Sequence, residues 1–185
     1  MVKTALLVID AQVGLIEGPS IGPVYRKAEV LEVMESVIQR ARKASVPIFY
    51  VQDLDVGEEN PKEQRIHPTL APKAADTVVQ KKSTDAFYST ELAEKLKALD
   101  IEHLVVVGCK TEYCVDTTSR SATVRGFDVT LVADGHSTTD GKVLAADQII
   151  AHHNSNLHGL DNIDHFILVR SSKEAVFEHK HLEYK

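Results

Sequence analysis

Apolar residues fall into two alternating patterns along the chain. Ala5-Leu6-Leu7-Val8-Ile9, Ile48-Phe49-Tyr50-Val51, Leu104-Val105-Val106-Val107, Val129-Thr130-Leu131-Val132-Ala133 and His165-Phe166-Ile167-Leu168-Val169 are short runs with little polar interruption, the signature of strands covered on both faces. Val78-Val79 predicts a shorter strand. Between the runs the spacing turns helical. Leu31, Met34, Ile38 and Ala41 predict a helix near 26–44, and Leu92, Leu96 and Leu99 one over Ser89–Leu99 with Ser89 or Thr90 as N-cap. A helix-like stretch follows Gly108 and runs to Arg125 with Gly126 as C-cap, and the last helix is expected near 141–155. Residues 54–77 carry Gly57, Pro61, Pro68 and Pro72 and read as a long surface loop, a lid or a subunit contact.

Strands alternating with helices imply βα units. The fold class expected is α/β: one domain over 1–185, a doubly wound parallel sheet with helices on both faces, Rossmann-like. The chain has 185 residues, 43% hydrophobic and 26% charged, which suits a folded core and excludes disordered or collagen-like classes. A net charge of -6 without a basic block argues against nucleic acid as a partner. No apolar run is long enough to span a bilayer, and Met1-Val2-Lys3-Thr4 leads straight into the first strand, so neither membrane nor signal peptide is expected, and the cytoplasm is the expected location. The two cysteines, Cys109 and Cys114, fit neither a disulfide framework nor a paired zinc motif.

In parallel sheets ligands bind outside the carboxyl ends of the strands, which directs attention to Asp10, Asp53, Lys81, Cys114 and Asp134. Asp10-Ala11-Gln12-Val13-Gly14 lacks the glycine patterns of dinucleotide and nucleotide loops. Cys114 lies near the start of a helix, where free N–H groups and the dipole lower a thiol pKa; it is either a nucleophile or a small buried hydrophobe. Asp10 is a proton acceptor or a turn residue. Of Lys81 and Lys82, one could enter the same cleft and stabilise a carboxylate and a thiolate; both could equally be solvated.

Taken together, an acid after the first strand, a lysine after the third and a cysteine after the fourth resemble the isochorismatase-like cysteine hydrolases. The similarity runs from Leu6-Leu7-Val8-Ile9-Asp10-x-Gln12, through Lys81-x5-Phe87-x2-Thr90-x-Leu92, to Gly108-x2-Thr111-x2-Cys114-Val115-x2-Thr118-x3-Ala122 and Gly126-Phe127-x-Val129. It implies Cys114 as nucleophile, Asp10 as acid/base and Lys81, six before Phe87, as the catalytic lysine, with Lys82 as the alternative. It also implies a cis peptide between Cys109 and Lys110, and an oxyanion hole from the backbone N–H groups of Lys110 and Cys114. The activity implied is hydrolysis of a small-molecule amide through an acyl-enzyme, by a homodimer or homotetramer. Gln12, Phe87, Tyr113 and His136 are the residues expected to meet substrate, with His136 following an Asp134-Gly135 turn.

The sequence departs from the resembling nicotinamidases where they hold a metal. Their Asp-x-His reads Asp53-Leu54-Asp55 here, and His67 in the next loop is a poor substitute, so no catalytic metal and no cofactor are expected. Lys110 occupies a position that is usually small or apolar. Retention of Cys114 favours amide cleavage over the vinyl-ether chemistry of true isochorismatases, and the stretches Ala133–Thr138 and His152-His153-Asn154 resemble streptothricin hydrolase-like members, which open a cyclic amide. His152-His153 themselves suit packing or an interface. A rival from another class is a thiol redox sensor with Cys109 resolving Cys114, which would need neither Asp10 nor Lys81. An inert scaffold would leave Cys114 unreactive.

Overall fold

A computed structural model describes residues 2–19 and 22–184. Its strands are β1 (Lys3–Ile9), β2 (Ile48–Asp53), β3 (Thr77–Lys81), β4 (Ile101–Cys109), β5 (Asp128–Ser137), β6 (Asp161–Asn162) and β7 (His165–Arg170). The helices are α1 (Val13–Ile16), α2 (Lys27–Lys43), α3 (Pro61–Gln64), α4 (Leu92–Ala98), α5 (Asp116–Val124) and α6 (Ala146–Leu157). The strands form one sheet in the order β3-β2-β1-β4-β5-β7-β6. Every pairing is parallel except β6 with β7.

The unbroken apolar runs occupy the sheet centre because side chains alternate between two covered faces. Ala5, Leu7 and Ile9 of β1 enter one core layer with Leu92 and Leu96 of α4 and Ala122 of α5. Leu6 and Val8 enter the other with Val30, Met34, Val37, Ile38 and Ala41 of α2. The expected α/β fold is therefore the observed one.

Several boundaries differ from the sequence expectation. The helix expected over Ser89–Leu99 begins only at Leu92: Ser89 has a left-handed φ of 53°, and the Thr90 hydroxyl donates to Ala86 O at 2.6 Å while accepting from Leu92 N at 3.3 Å. The last helix begins at Ala146 rather than near 141, with the Gln148 side chain accepting from Ala145 N at 3.0 Å. Gly126 does follow the end of α5 with φ 89°, as a helix-terminating glycine should.

The expected end of β5 before Asp134 is wrong in an informative way. The strand runs on to Ser137, because its register against β4 slips: Leu131 pairs with Val106, and His136 with Gly108. The surplus residues bulge. Gly135 sits in the bulge, where an added Cβ would lie 2.9 Å from Val107 Cγ1.

The 54–77 segment is more ordered than its composition suggests. It contains α3 and a 3-10 turn at Pro68–Leu70, and it is tied back by Val13 N to Arg65 O at 2.9 Å and His67 N to Ala11 O at 2.8 Å. Leu70 is buried against the α2 layer.

Candidate active site

The sheet order reverses at its centre. From β1 the chain winds outward through β2 and β3, then returns to place β4 on the other side of β1. Such a switch point opens a crevice at the carboxyl ends of the two strands. Gly108 shows how closely they approach: its φ is 137°, and a Cβ there would lie 2.0 Å from Ile9 O. Only glycine fits. Beyond it the Cys109–Lys110 peptide is cis, as the resemblance implied, and the chain enters a turn of π-helix, Thr111–Val115, that carries Cys114 into α5.

Asp10, at the end of β1, is fully buried with a left-handed φ of 45°, and its N–H donates to Val51 O at 2.9 Å. Lys81 reaches it from β3, two strands away. Its Nζ lies 2.8 Å from Asp10 Oδ2, 2.5 Å from Asp53 Oδ2 and 3.3 Å from Cys114 Sγ. Sγ and one carboxylate oxygen from each of Asp10 and Asp53 lie within 4.8 Å of one another. The structure thus brings Asp10, Lys81 and Cys114 together, while Lys82 is exposed.

Asp53 takes a part that the sequence reading does not give it, where it stands only as a strand-end acid and as the first residue of the incomplete metal motif. It sits directly opposite Lys81 in the β2–β3 register, and that strand-end pairing was the available signal. The place a cation would take among the two acids and the sulfur is held by the Lys81 ammonium. His67 is engaged elsewhere, with Nε2 3.1 Å from Glu17 Oε1 and Nδ1 accepting from Thr69 N at 3.3 Å.

Burial raises the Asp10 pKa to about 6, although the Lys81 charge and hydrogen bonds from Cys114 and Lys81 pull it down. At neutral pH the carboxylate predominates. For Lys81 burial works against the charge, but the attraction of Asp10 and Cys114 and the bonds to Asp10 and Asp53 outweigh it, so its pKa lies above the ordinary lysine value. Burial and the Asp10 charge push the Cys114 thiol above its usual range, with Lys81 opposing. This corrects the expectation of a lowered thiol pKa: the resting sulfur is protonated, and the field of the helix terminus does not outweigh a buried carboxylate beside it.

Three of the four residues expected to meet substrate serve the scaffold instead. The Gln12 amide is engaged on both ends, donating to Asp53 O at 2.9 Å and Gln64 O at 2.8 Å and accepting from Asp53 N at 2.8 Å, so it holds the end of β2 in place. Phe87 stacks on Phe127 with centroids 5.9 Å apart, inside the core. His136 is buried in β5 rather than placed after a turn: Nδ1 meets Thr111 Oγ1 and Nε2 meets Asn154 Oδ1, both at 2.9 Å. Only Tyr113 is free, 56% exposed and adjacent to Cys114. Asp134 also leaves the crevice, since its carboxylate accepts from Ser172 N at 2.7 Å and from the Ser172 hydroxyl at 2.6 Å.

The resembling motif around Cys114 acquires a physical meaning. Thr111 fastens the π-turn to His136, and Thr118 accepts from Ala86 N at 3.1 Å and donates to Thr84 O at 3.2 Å, fixing the loop that follows Lys81. Ala122 is small because α5 lies close on the sheet, where it is fully buried. The Lys110 side chain donates to Thr139 Oγ1 at 3.0 Å.

The isochorismatase domain family model matches residues 4–152. This chain belongs to the isochorismatase family. It is a hydrolase of that family, and among the described residues no helix is long and apolar enough to cross a membrane. It is similar to the uncharacterized isochorismatase family protein YddQ of Bacillus subtilis, 28% identical over 79% of this chain and 86% of the relative. It is 32% identical to a streptothricin hydrolase of Streptomyces noursei over 74% of this chain and 55% of the relative, so the match spans little more than half of that protein. The crystal structure of an isochorismatase family protein superposes with a TM-score of 0.81 at 32% identity, covering 91% of this chain and 98% of the other.

Proposed function

We propose that this isochorismatase-family chain is a cysteine amidase, cleaving a C–N bond of a small molecule through an acyl-enzyme on Cys114. The observation that carries the reading is the contact of one ammonium group, Lys81 Nζ, with Asp10 at 2.8 Å and Cys114 Sγ at 3.3 Å. A buried thiol with a raised pKa needs a base at the moment of attack, and Asp10 is the carboxylate available. The streptothricin hydrolase relative supports hydrolysis of a small molecule, and a cyclic amide is a substrate class to test first.

In the proposed sequence Asp10 accepts the Cys114 proton as sulfur bonds to the carbonyl carbon. The carbonyl electrons move onto oxygen, which the backbone N–H groups of Lys110 and Cys114 receive. The tetrahedral centre collapses, the C–N bond breaks, and Asp10 passes its proton to the departing amine. Asp10 then takes a proton from water as it attacks the thioester, and the acid leaves as that proton returns to sulfur. Lys81 holds both anionic groups in register throughout and, bound to Asp53 as well, does not need to move.

The sensor alternative is weakened by the position of Cys109. It is buried in the α2 layer while Cys114 belongs to the opposite layer, and burial pushes its thiol up to about 12. A resolving thiol needs access and thiolate character. The test is a screen of small primary and cyclic amides with intact-mass detection. An acyl adduct on Cys114 during turnover, absent from Cys114→Ala, is the expected result. Wild-type turnover by Cys114→Ala, or peroxide-driven linkage of Cys109 to Cys114 with no amide cleaved, overturns the reading.

A further inference from the structure

The end of the sheet opposite the catalytic crevice holds a second concentration of ligating side chains. Asp128 opens β5, and the C-terminal segment after β7 folds back beneath it. That segment is anchored by Arg170, whose Nη1 donates to Ala175 O and Glu178 O at 3.1 Å each, and by Val176, which is fully buried. It delivers His179 and His181 to Asp128. Ligand atoms of the three residues lie within 4.8 Å of one another.

The hydrogen bonding leaves this cluster incomplete. His179 Nε2 lies 2.6 Å from Asp128 Oδ2. His181 is fully buried; its Nε2 donates to Val129 O at 2.9 Å, and its Nδ1, also buried, has no hydrogen-bond partner. A buried ring nitrogen with nothing to bond is costly unless something coordinates it. The rings of His179 and His181 stack 4.8 Å apart. His165 Nδ1 stands 3.4 Å from Asp128 Oδ1. His103 touches both rings, but its two nitrogens already meet Thr4 Oγ1 at 3.0 Å and Thr130 Oγ1 at 2.8 Å, so it packs rather than ligates.

We propose that Asp128, His179 and His181 form a binding site for one divalent transition metal of the zinc class, which fastens the C-terminal segment to the amino edge of the sheet. Two imidazoles and a carboxylate are borderline donors that suit zinc, cobalt or nickel rather than calcium or magnesium. Tetrahedral ligands at about 2.1 Å from an ion stand about 3.4 Å apart, so to complete the site His179 and Asp128 draw apart from 2.6 Å while His181 keeps within the 4.8 Å spread of the cluster. His181 coordinates through Nδ1, keeping its bond to Val129 O, which fixes the ring as metal-bound histidines require. The ion takes the place of the hydrogen bond between His179 Nε2 and Asp128 Oδ2, with the His179 ring proton carried on Nδ1. His165 or water takes the fourth position. The site lies at the far end of the sheet from Cys114 and is independent of the proposed amidase chemistry.

The experiment is titration of chelator-stripped full-length protein with Zn2+ by calorimetry and with Co2+ by visible absorption. The expected result is one equivalent bound, with a tetrahedral cobalt spectrum and a raised Tm. Affinity should fall at least about 10-fold in His179→Gln and Asp128→Asn. It should be unchanged in Cys114→Ala and in His152→Gln, the controls for the catalytic acids and for the histidine pair on α6. Should His179→Gln not fold, mass mapping of histidine carbethoxylation in wild type replaces it, and Zn2+ is expected to protect His179. Absence of binding, binding lost in Cys114→Ala, binding unchanged in His179→Gln, or failure of Zn2+ to protect His179 would each overturn the proposal.

Discussion

The ammonium of Lys81 and the carboxylate of Asp10 meet at 2.8 Å with neither side chain exposed. Removing one charge of a buried ion pair leaves the other uncompensated: without Asp10 the ammonium keeps Asp53, but without Lys81 the two carboxylates face each other with no cation between them. Lys81→Met removes the main influence that lowers the Asp10 pKa, so that pKa rises further and Asp10 is protonated at neutral pH. Turnover at pH 7 should fall about 100-fold or more, with part of the activity returning as pH is raised. A pH-rate profile of the variant checks this; an unshifted profile would mean that Lys81 does not govern Asp10.

The wild-type profile has a defined acid limb. Asp10 accepts a proton only as the carboxylate, and its pKa is raised to about 6. Below that value kcat/KM should drop about tenfold per pH unit, and above it the rate should level off. Iodoacetamide alkylation of Cys114 should follow the same limb, since thiolate formation uses the same base. In Asp10→Asn the limb disappears and alkylation at pH 7 slows by about 100-fold. Alkylation that rises only near the pKa of a free thiol in both proteins would remove Asp10 from the proposed mechanism.

The contrast between what the sequence disclosed and what it hid has a consistent physical basis. Alternating runs disclosed the fold because a strand buried on both faces has few ways to be written, and strand ends disclosed Asp10 and Lys81 because parallel sheets expose chemistry there. Gln12, Phe87 and His136 belong to the scaffold because of partners that the sequence does not display, whereas their polarity or size is plain in it. Gln12 is bonded to residues 41 and 52 positions away. The β5 bulge was hidden as well, because Asp134-Gly135 reads as a turn until the β4 register shows that the strand resumes.

His136, buried in β5, braces the turn that carries Cys114. Its two nitrogens join Thr111 of the π-turn to Asn154 of α6. In His136→Leu the buried Thr111 and the half-buried Asn154 each lose a bond, a cost of about 2 kcal/mol. We expect a lower Tm and a drop in kcat that exceeds any change in KM, because the turn carrying Cys114 loosens while the residues meeting substrate stay. His136→Asn, which can still reach one partner, should recover part of kcat. A change confined to KM would instead return His136 to the substrate surface.

Gly108 tests the close approach of β1 and β4. Its φ of 137° is strained for any residue with a Cβ, and that atom would lie 2.0 Å from Ile9 O. The nearest atoms are all Ile9 backbone, so no flexible side chain is there to yield. Gly108→Ala is therefore expected to destabilise by more than about 3 kcal/mol, the upper range for strained conformations alone. A denaturant melt reads this directly. Tolerance of alanine with full activity would mean that the two strands separate more readily than their geometry implies.

Phe87 and Tyr113 separate core from crevice. Phe87 is buried against Phe127 and lies under Arg125, whose guanidinium is 5.2 Å from the ring centre. Phe87→Ala opens a cavity and should cost about 3 to 5 kcal/mol. Phe87→Leu should cost less and leave KM near its wild-type value in whatever protein folds. Tyr113 has the opposite profile: it is 56% exposed and bonded in sequence to the nucleophile, so Tyr113→Ala should leave Tm almost unchanged. Its effect should fall on KM for a small amide, since an exposed ring on the residue before Cys114 can contact substrate without holding the fold. Parallel measurement of Tm and KM in the two variants assigns each ring, and a KM change in Phe87→Leu without a Tm change would place that ring in the substrate pocket after all.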